Sequence, residues 1–170
     1  MKKYIKSIVT LVAICAVVSV LMAFTNYITA PKIAQNEEKK VKAALSEVLP
    51  SAESFELLDI TPYALPEEVV AVYKASNGGY VVKLNVKGFS PNMTIMCGVD
   101  ESGNVSGAVC LSSAETLGAE KTYGESFAGK DAVGAEAVDT VSGATVTTTA
   151  YKQGILEALR AVEIIKGGNP

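Results

Sequence analysis

The sequence predicts an α+β protein: a single N-terminal transmembrane helix, then a domain with a central, mainly antiparallel sheet flanked by helices. Three observations carry this. Ser7–Ile28 (SIVTLVAICAVVSVLMAFTNYI) is an apolar run without a charge. Residues 69–111 hold four β-rich stretches separated by short turn signals, which suits antiparallel neighbours. Residues 147–166 place apolar side chains at helical spacing.

The first span sets the compartment. At about 1.5 Å per residue it covers about 33 Å, enough to cross a hydrocarbon core of about 30 Å. Lys2, Lys3 and Lys6 precede it. The positive-inside rule therefore leaves residues 1–6 in the cytoplasm and sends everything beyond the 7–28 helix outside. A cleaved signal peptide is the rival reading. Ile28-Thr29-Ala30 is a poor cleavage site, Pro31 follows it directly, and the apolar core is long for a signal. The expectation is an uncleaved, single-pass anchor in the inner or plasma membrane.

Residues 31–50 then place Ile33, Val41, Ala44, Leu45, Val48 and Leu49 at helical spacing between charges, up to Pro50. This is an amphipathic juxtamembrane helix, which packs either on neighbouring subunits or on its own domain. Residues 51–170 form the outer domain. Ser51–Leu65 reads as irregular, with Pro62 and Pro66 against a long helix. Val69–Ala75 and Tyr80–Lys87 flank Asn77-Gly78-Gly79 as a hairpin. Thr94–Val99 and Val105–Leu111 form a second hairpin around Asp100–Asn104. Lys121–Ala128 is a short helix ended by Gly129, and a last helix runs from about Thr147 to Lys166 before Gly167-Gly168. Cys97 and Cys110 lie on facing strands, as buried thiols rather than a metal pair, and a disulfide between them stays open.

Composition removes several chemistries. The chain of 170 residues has no histidine and no tryptophan, a net charge of −3 and a pI near 5.1. Histidine-dependent triads and metal sites are excluded, and nucleic acid is not expected as a partner. No Rossmann glycine motif, P-loop or iron–sulfur cysteine pattern is present.

The informative stretch is Asp139-Thr140-Val141-Ser142-Gly143-Ala144-Thr145, followed by Val146-Thr147-Thr148-Thr149. A hydroxyl-rich turn of small residues feeds a helix start, where unpaired N–H groups and the helix dipole favour an anion such as a phosphate. Gly143 and Ala144 remove bulk. Ser142 and Gly143 would hold the anion, Thr147 and Thr148 would add hydroxyls, and Lys152 would compensate charge if it points inward. Asp139 would fix the turn. A plain helix cap explains the same residues.

D-T-V-S-G-A-T resembles the D-x-x-(S/T)-G-A-T motif of covalent FMN-binding domains. The resemblance implies FMN joined through its phosphate to Thr145 by a flavin transferase. Ser112-Ser113-Ala114-Glu115-Thr116-Leu117-Gly118 resembles that family's E-T-P-G-L-G loop, without the Pro-Gly step. It implies Glu115, Thr116, Leu117 and Gly118 as contacts of the flavin ring. At the other end, T-A-P-K-I-A-Q-N-E-E after the anchor and then A-L-S-E-V-L-P resemble the G subunit of Rnf-type electron transport complexes. The C subunit of the sodium-pumping NADH:quinone reductase shares the flavin domain.

The resemblance implies a flavoprotein subunit of a membrane complex with other membrane subunits as partners. It would relay electrons through covalent FMN between ferredoxin and NAD, coupled to Na⁺ or H⁺ translocation. The chain shows no substrate site of its own. The alternatives are a stand-alone anchored FMN carrier serving an extracellular acceptor, and a tethered binding module without redox chemistry.

Overall fold

The computed structural model describes residues 2–168, the side chains of 2–5, 7 and 34 excepted. Lys2 and Lys3, on which the expected orientation partly rests, therefore lie outside the described side chains. The chain divides into two compact units, Met1–Lys40 and Val41–Pro170.

The first unit is helical throughout its described residues, as part of α1 (Lys2–Val48). It contains a stretch long and apolar enough to cross a membrane. Its Ile, Val, Leu and Phe side chains point outward, and none described is buried. The hydroxyls of Thr10, Ser19, Thr25 and Thr29 each donate to the carbonyl four residues back, at 2.8–2.9 Å. That folds the polar groups back onto the backbone, as an apolar surrounding requires. Pro31 lies inside α1. It forgoes one helical hydrogen bond without ending the helix, so the expected break between residues 28 and 31 is absent and α1 is one element.

In the second unit, five antiparallel strands follow one another in sequence order: β1 (Phe55–Leu58), β2 (Val69–Ala75), β3 (Tyr80–Val86), β4 (Met93–Val99) and β5 (Val105–Ser112). The two expected hairpins are present. β1 corrects the expectation that Ser51–Leu65 is irregular: Phe55 pairs with Ala75 and Leu58 with Val72 along the free edge of β2. A four-residue edge strand is too short to show alternation, so its partner decides it.

Both faces of the sheet centre are covered. One face presents Val72, Val82, Leu84, Ile95 and Cys97 to α4 (Thr145–Gly167), which contributes Tyr151, Ile155, Ala158, Leu159 and Val162. Two short helices, α2 (Glu120–Tyr123) and α3 (Ala132–Glu136), and a 3₁₀ turn (Gly124–Phe127) between them complete this layer. Tyr123, Phe127 and Tyr151 meet there, with centroids 5.1–6.1 Å apart. α4 begins two residues before its expected start. It ends at Gly168, whose φ of 62° is a left-handed cap.

The other face carries Ala75, Val81 and Met96, covered by Ala44, Leu45 and Val48 from the last turns of α1 and by Leu49 just after it. That segment packs on its own domain. Its seat is a cross-strand pair of glycines, Gly98 opposite Gly107. A Cβ on Gly98 would collide with the Val48 carbonyl and would stand 2.6 Å from Ser106 Oγ, which itself donates to the Val48 carbonyl. Gly98→Ala should cost about 1–3 kcal/mol through this overpacking, read as a lowered thermal midpoint.

Register places Cys97 opposite Ala108 and Cys110 opposite Ile95, and both thiols are free. Burial pushes the Cys97 thiol up to about 12 from an ordinary 9.0, and moves the Tyr151 phenol in the same direction. Unfolding exposes both groups and lets them ionise earlier, so the unfolded chain binds fewer protons above pH 9. Cys97's contribution is complete below about pH 9 and declines above it, by up to about 1.4 kcal/mol per pH unit. Unfolding midpoints should fall between about pH 9 and about pH 11, and Cys97→Ala should flatten that decline.

Candidate functional site

The turn ahead of α4 is built from its own backbone. Ala144 N–H donates to Val141 O at 3.0 Å, closing a turn whose third residue, Gly143, sits at φ +85°. Only glycine adopts that conformation without strain. Thr148 splints the turn from inside the helix. It is fully buried, its Oγ accepts from Val141 N–H at 3.2 Å and donates to Ala144 O at 2.9 Å.

The approach to the turn is laced down as well. Lys152 Nζ donates to the carbonyls of Glu136 and Val138, at 3.2 and 3.1 Å. The Tyr123 hydroxyl donates to the Asp139 carbonyl at 3.1 Å. Burial, and then the Asp139 charge, hold that phenol above its usual range. Lys152 thus anchors the incoming segment, and its ammonium is engaged by carbonyls rather than turned to an anion. Thr148 is likewise occupied by the turn itself. Both side chains are engaged by backbone partners in this structure.

What the turn leaves open is the start of α4. Its N-cap, Ala144, offers no side-chain bond, and the first helical hydrogen bond runs from Thr148 N–H to Ala144 O. The N–H groups of Thr145, Val146 and Thr147 precede it and have no carbonyl within the helix. Three backbone donors and the positive end of a 23-residue helix therefore point to one place.

That place is a cavity of about 300 Å³ lined by Phe89, Glu115, Thr116, Leu117, Gly143, Ala144, Thr145, Val146 and Thr147. The loop after β5 and the helix start, far apart in sequence, form one wall system. They are joined by a bond from Thr147 Oγ to Glu115 Oε2 at 2.6 Å. Of the expected ligands, Ser142 is exposed on the turn outside this lining. Gly118 lies beyond it at φ +69°, and Thr148 lies behind it. Thr116 stays in the cavity wall, since α2 is preceded by Ala119. Thr145 is exposed at the helix mouth, and its hydroxyl enters none of the bonds above.

Phe89 and Val146 line the cavity although sequence reasoning passed over both. In the sequence one is a large apolar residue in a loop and the other sits among threonines in the first turn of a helix, and neither pattern marks a site by itself. Among the described lining residues there is no lysine or arginine. An anion here would be held by backbone amides, and the donor set fits a phosphate at one end and an apolar ring at the other.

Known proteins resemble this chain along its length. Residues 88–160 match the FMN-binding domain family, and residues 1–48 match the RnfG N-terminal region. The G subunit of the Na(+)-translocating ferredoxin:NAD(+) oxidoreductase complex of Acetobacterium woodii is 29% identical over 175 residues, covering 85% of this chain and 84% of that protein. The G subunit of the ion-translocating oxidoreductase complex of Methanosarcina acetivorans is 30% identical over 187 residues, with 98% of both chains covered. Its namesake in Vibrio vulnificus is 27% identical over 124 residues, 66% of this chain and 59% of that one. With an apolar helix of membrane-spanning length, matches to both family regions and a relative matched end to end, this chain belongs to the family of G subunits of Rnf-type membrane complexes.

Proposed function

We propose that this protein is the flavin-bearing electron relay of an Rnf-type complex, carrying FMN as a phosphoester on Thr145. In the complex it passes electrons between neighbouring subunits, within a ferredoxin-to-NAD transfer that drives Na⁺ or H⁺ across the membrane. FMN supplies the electron chemistry when bound, and the chain supplies attachment, orientation and shielding. The observation that carries the reading is the position of Thr145. It is the exposed first residue of an uncapped α4, on the same cavity as the loop Glu115–Leu117.

Charge supports a covalent link. With no cationic side chain among the described lining residues, a free FMN phosphate would rest on neutral amide and hydroxyl donors. Esterification removes one of its negative charges and makes dissociation impossible. That matters where the domain faces the outside medium, as it does with the N-terminus cytoplasmic and a single anchor at residues 7–28. In maturation, a flavin transferase would take the FMN moiety from a flavin dinucleotide: the bond from Thr145 Oγ to phosphorus forms, the P–O–P bond breaks, the nucleoside monophosphate leaves and the threonine hydroxyl gives up its proton. Thr145 then takes no part in turnover. The N–H groups of Thr145, Val146 and Thr147 would hold the phosphate, and Thr116 and Leu117 would contact the ring.

The test is to make the full chain with and without a flavin transferase, denature it, and look for flavin fluorescence that travels with the protein. Flavin that appears only with the transferase supports the reading. A chain that stays colourless in both cases removes it.

A further inference from the structure

One wall of the cavity comes from neither the threonine-rich turn nor the loop after β5. Phe89, in the loop between β3 and β4, lines the cavity and is 71% exposed. Every other described aromatic side chain from Val41 onward is buried or half-buried. An exposed phenyl ring gains free energy when a flat apolar group covers it. Leu117, on the same cavity, is 69% exposed and offers a second such surface.

The loop that carries Phe89 is held in place by one carboxylate. Glu115 Oε1 accepts the N–H of Ser90 at 2.8 Å, and Oε2 accepts the hydroxyl of Thr147 at 2.6 Å. The Ser90 hydroxyl donates in turn to the Ala114 carbonyl at 3.0 Å. The packing is close: a Cβ on Gly88 would stand 2.5 Å from Glu115 Oε1 and 3.5 Å from the Thr147 Cα. A carboxylate suits this junction because it has two acceptor oxygens for donors from two different segments. Through Glu115 the β3–β4 loop, the loop after β5 and the first turn of α4 become one frame.

We infer that Phe89 is a ring-binding residue of the FMN site and that Glu115 is the positioning residue that holds it there. The inference rests on the proposed attachment of FMN at Thr145. The cofactor is then fixed at two points, its phosphate at the start of α4 and its ring system at Phe89. Loss of the clamp leaves a flavin that is still attached but swings on its tether.

The experiment uses the full chain in detergent, matured with a flavin transferase. Intact mass reads attachment. Flavin fluorescence anisotropy reads ring mobility, and collisional quenching by iodide reads ring exposure. Phe89→Ala and Glu115→Ala should keep the FMN mass, lose anisotropy, and raise the iodide quenching constant several-fold. Glu115→Gln can accept from Ser90 and donate to Thr147, and should restore most of the anisotropy. Unchanged anisotropy and quenching in either alanine variant overturns the inference. So does a Glu115→Gln chain as mobile as Glu115→Ala, because charge rather than positioning would then be the cause.

Hydrogen exchange at residues 88–92 in the flavin-free chain tests the clamp independently. Glu115→Ala should speed it by about tenfold, the loss of a charged hydrogen bond, and Phe89→Ala should leave it unchanged. If the wild type takes up no FMN, the proposed function fails and the ring contact fails with it. The clamp then stands on faster exchange in Glu115→Ala and falls if exchange is unaltered.

Discussion

Thr145→Ala gives a folded chain that carries no flavin after denaturation, whatever the level of flavin transferase. The side chain is exposed at the first position of α4, where alanine is a good helix former, so stability should move by about 0.5 kcal/mol or less. Attachment should be all or none, because a phosphoester needs a hydroxyl at that position. Thr147→Ala is the instructive control. It loses the bond to Glu115 Oε2, at a cost of about 1 kcal/mol, yet keeps its flavin. Mass spectrometry of the denatured chains decides between them. An FMN adduct on Thr145→Ala, or its absence from Thr147→Ala alone, would place the linkage elsewhere.

Removing residues 1–50 should abolish folding, whereas removing residues 1–40 should not. The sheet face of Ala75, Val81 and Met96 is covered by Ala44, Leu45, Val48 and Leu49. Each buried aliphatic side chain contributes about 1.5–3 kcal/mol. Losing Leu45, Val48 and Leu49 together is worth on the order of 6 kcal/mol, against a total stability of about 5–15 kcal/mol for an ordinary domain. Residues 51–170 should therefore be insoluble or lack a cooperative transition. Residues 41–170 should show strand-type circular dichroism and a single unfolding step. A soluble, cooperatively folded 51–170 would mean that the helix end is dispensable.

This boundary shows how the sequence can be read and where reading stops. The periodicity of Val41, Ala44, Leu45, Val48 and Leu49 announced an apolar stripe, but not which surface it would meet. Periodicity describes one element, and the seat at Gly98 and Gly107 lies some fifty residues away. Strands β2 to β5 were legible because turn residues and alternation coincide at Asn77–Gly79 and Asp100–Asn104. β1 was not, since four edge residues take their conformation from β2.

The cavity has the same history. The motif at Asp139–Thr145 and the loop at Glu115–Gly118 could each be picked out. Their joining through Thr147 and Glu115 is a tertiary fact. Hydroxyls read alike in a sequence, yet Thr145, Thr147 and Thr148 differ in the structure: one open, one bonded to Glu115, one closing the turn. Phe89 was hidden because an aromatic residue in a loop signals nothing until a cavity forms beside it.

The strand order has a consequence for timing. Neighbours in the sheet are neighbours in sequence, so each hairpin can pair soon after its second strand is released. The cavity has no such head start. Thr145 comes to line it with Glu115 only when α4, the last described element, has docked on the sheet through Ile155, Leu159 and Val162. On the proposed attachment, Thr145 would therefore be presented in its pocket only by a folded chain. A half-made domain would have nothing to offer a flavin transferase, and flavin on the protein would double as a certificate of completed assembly.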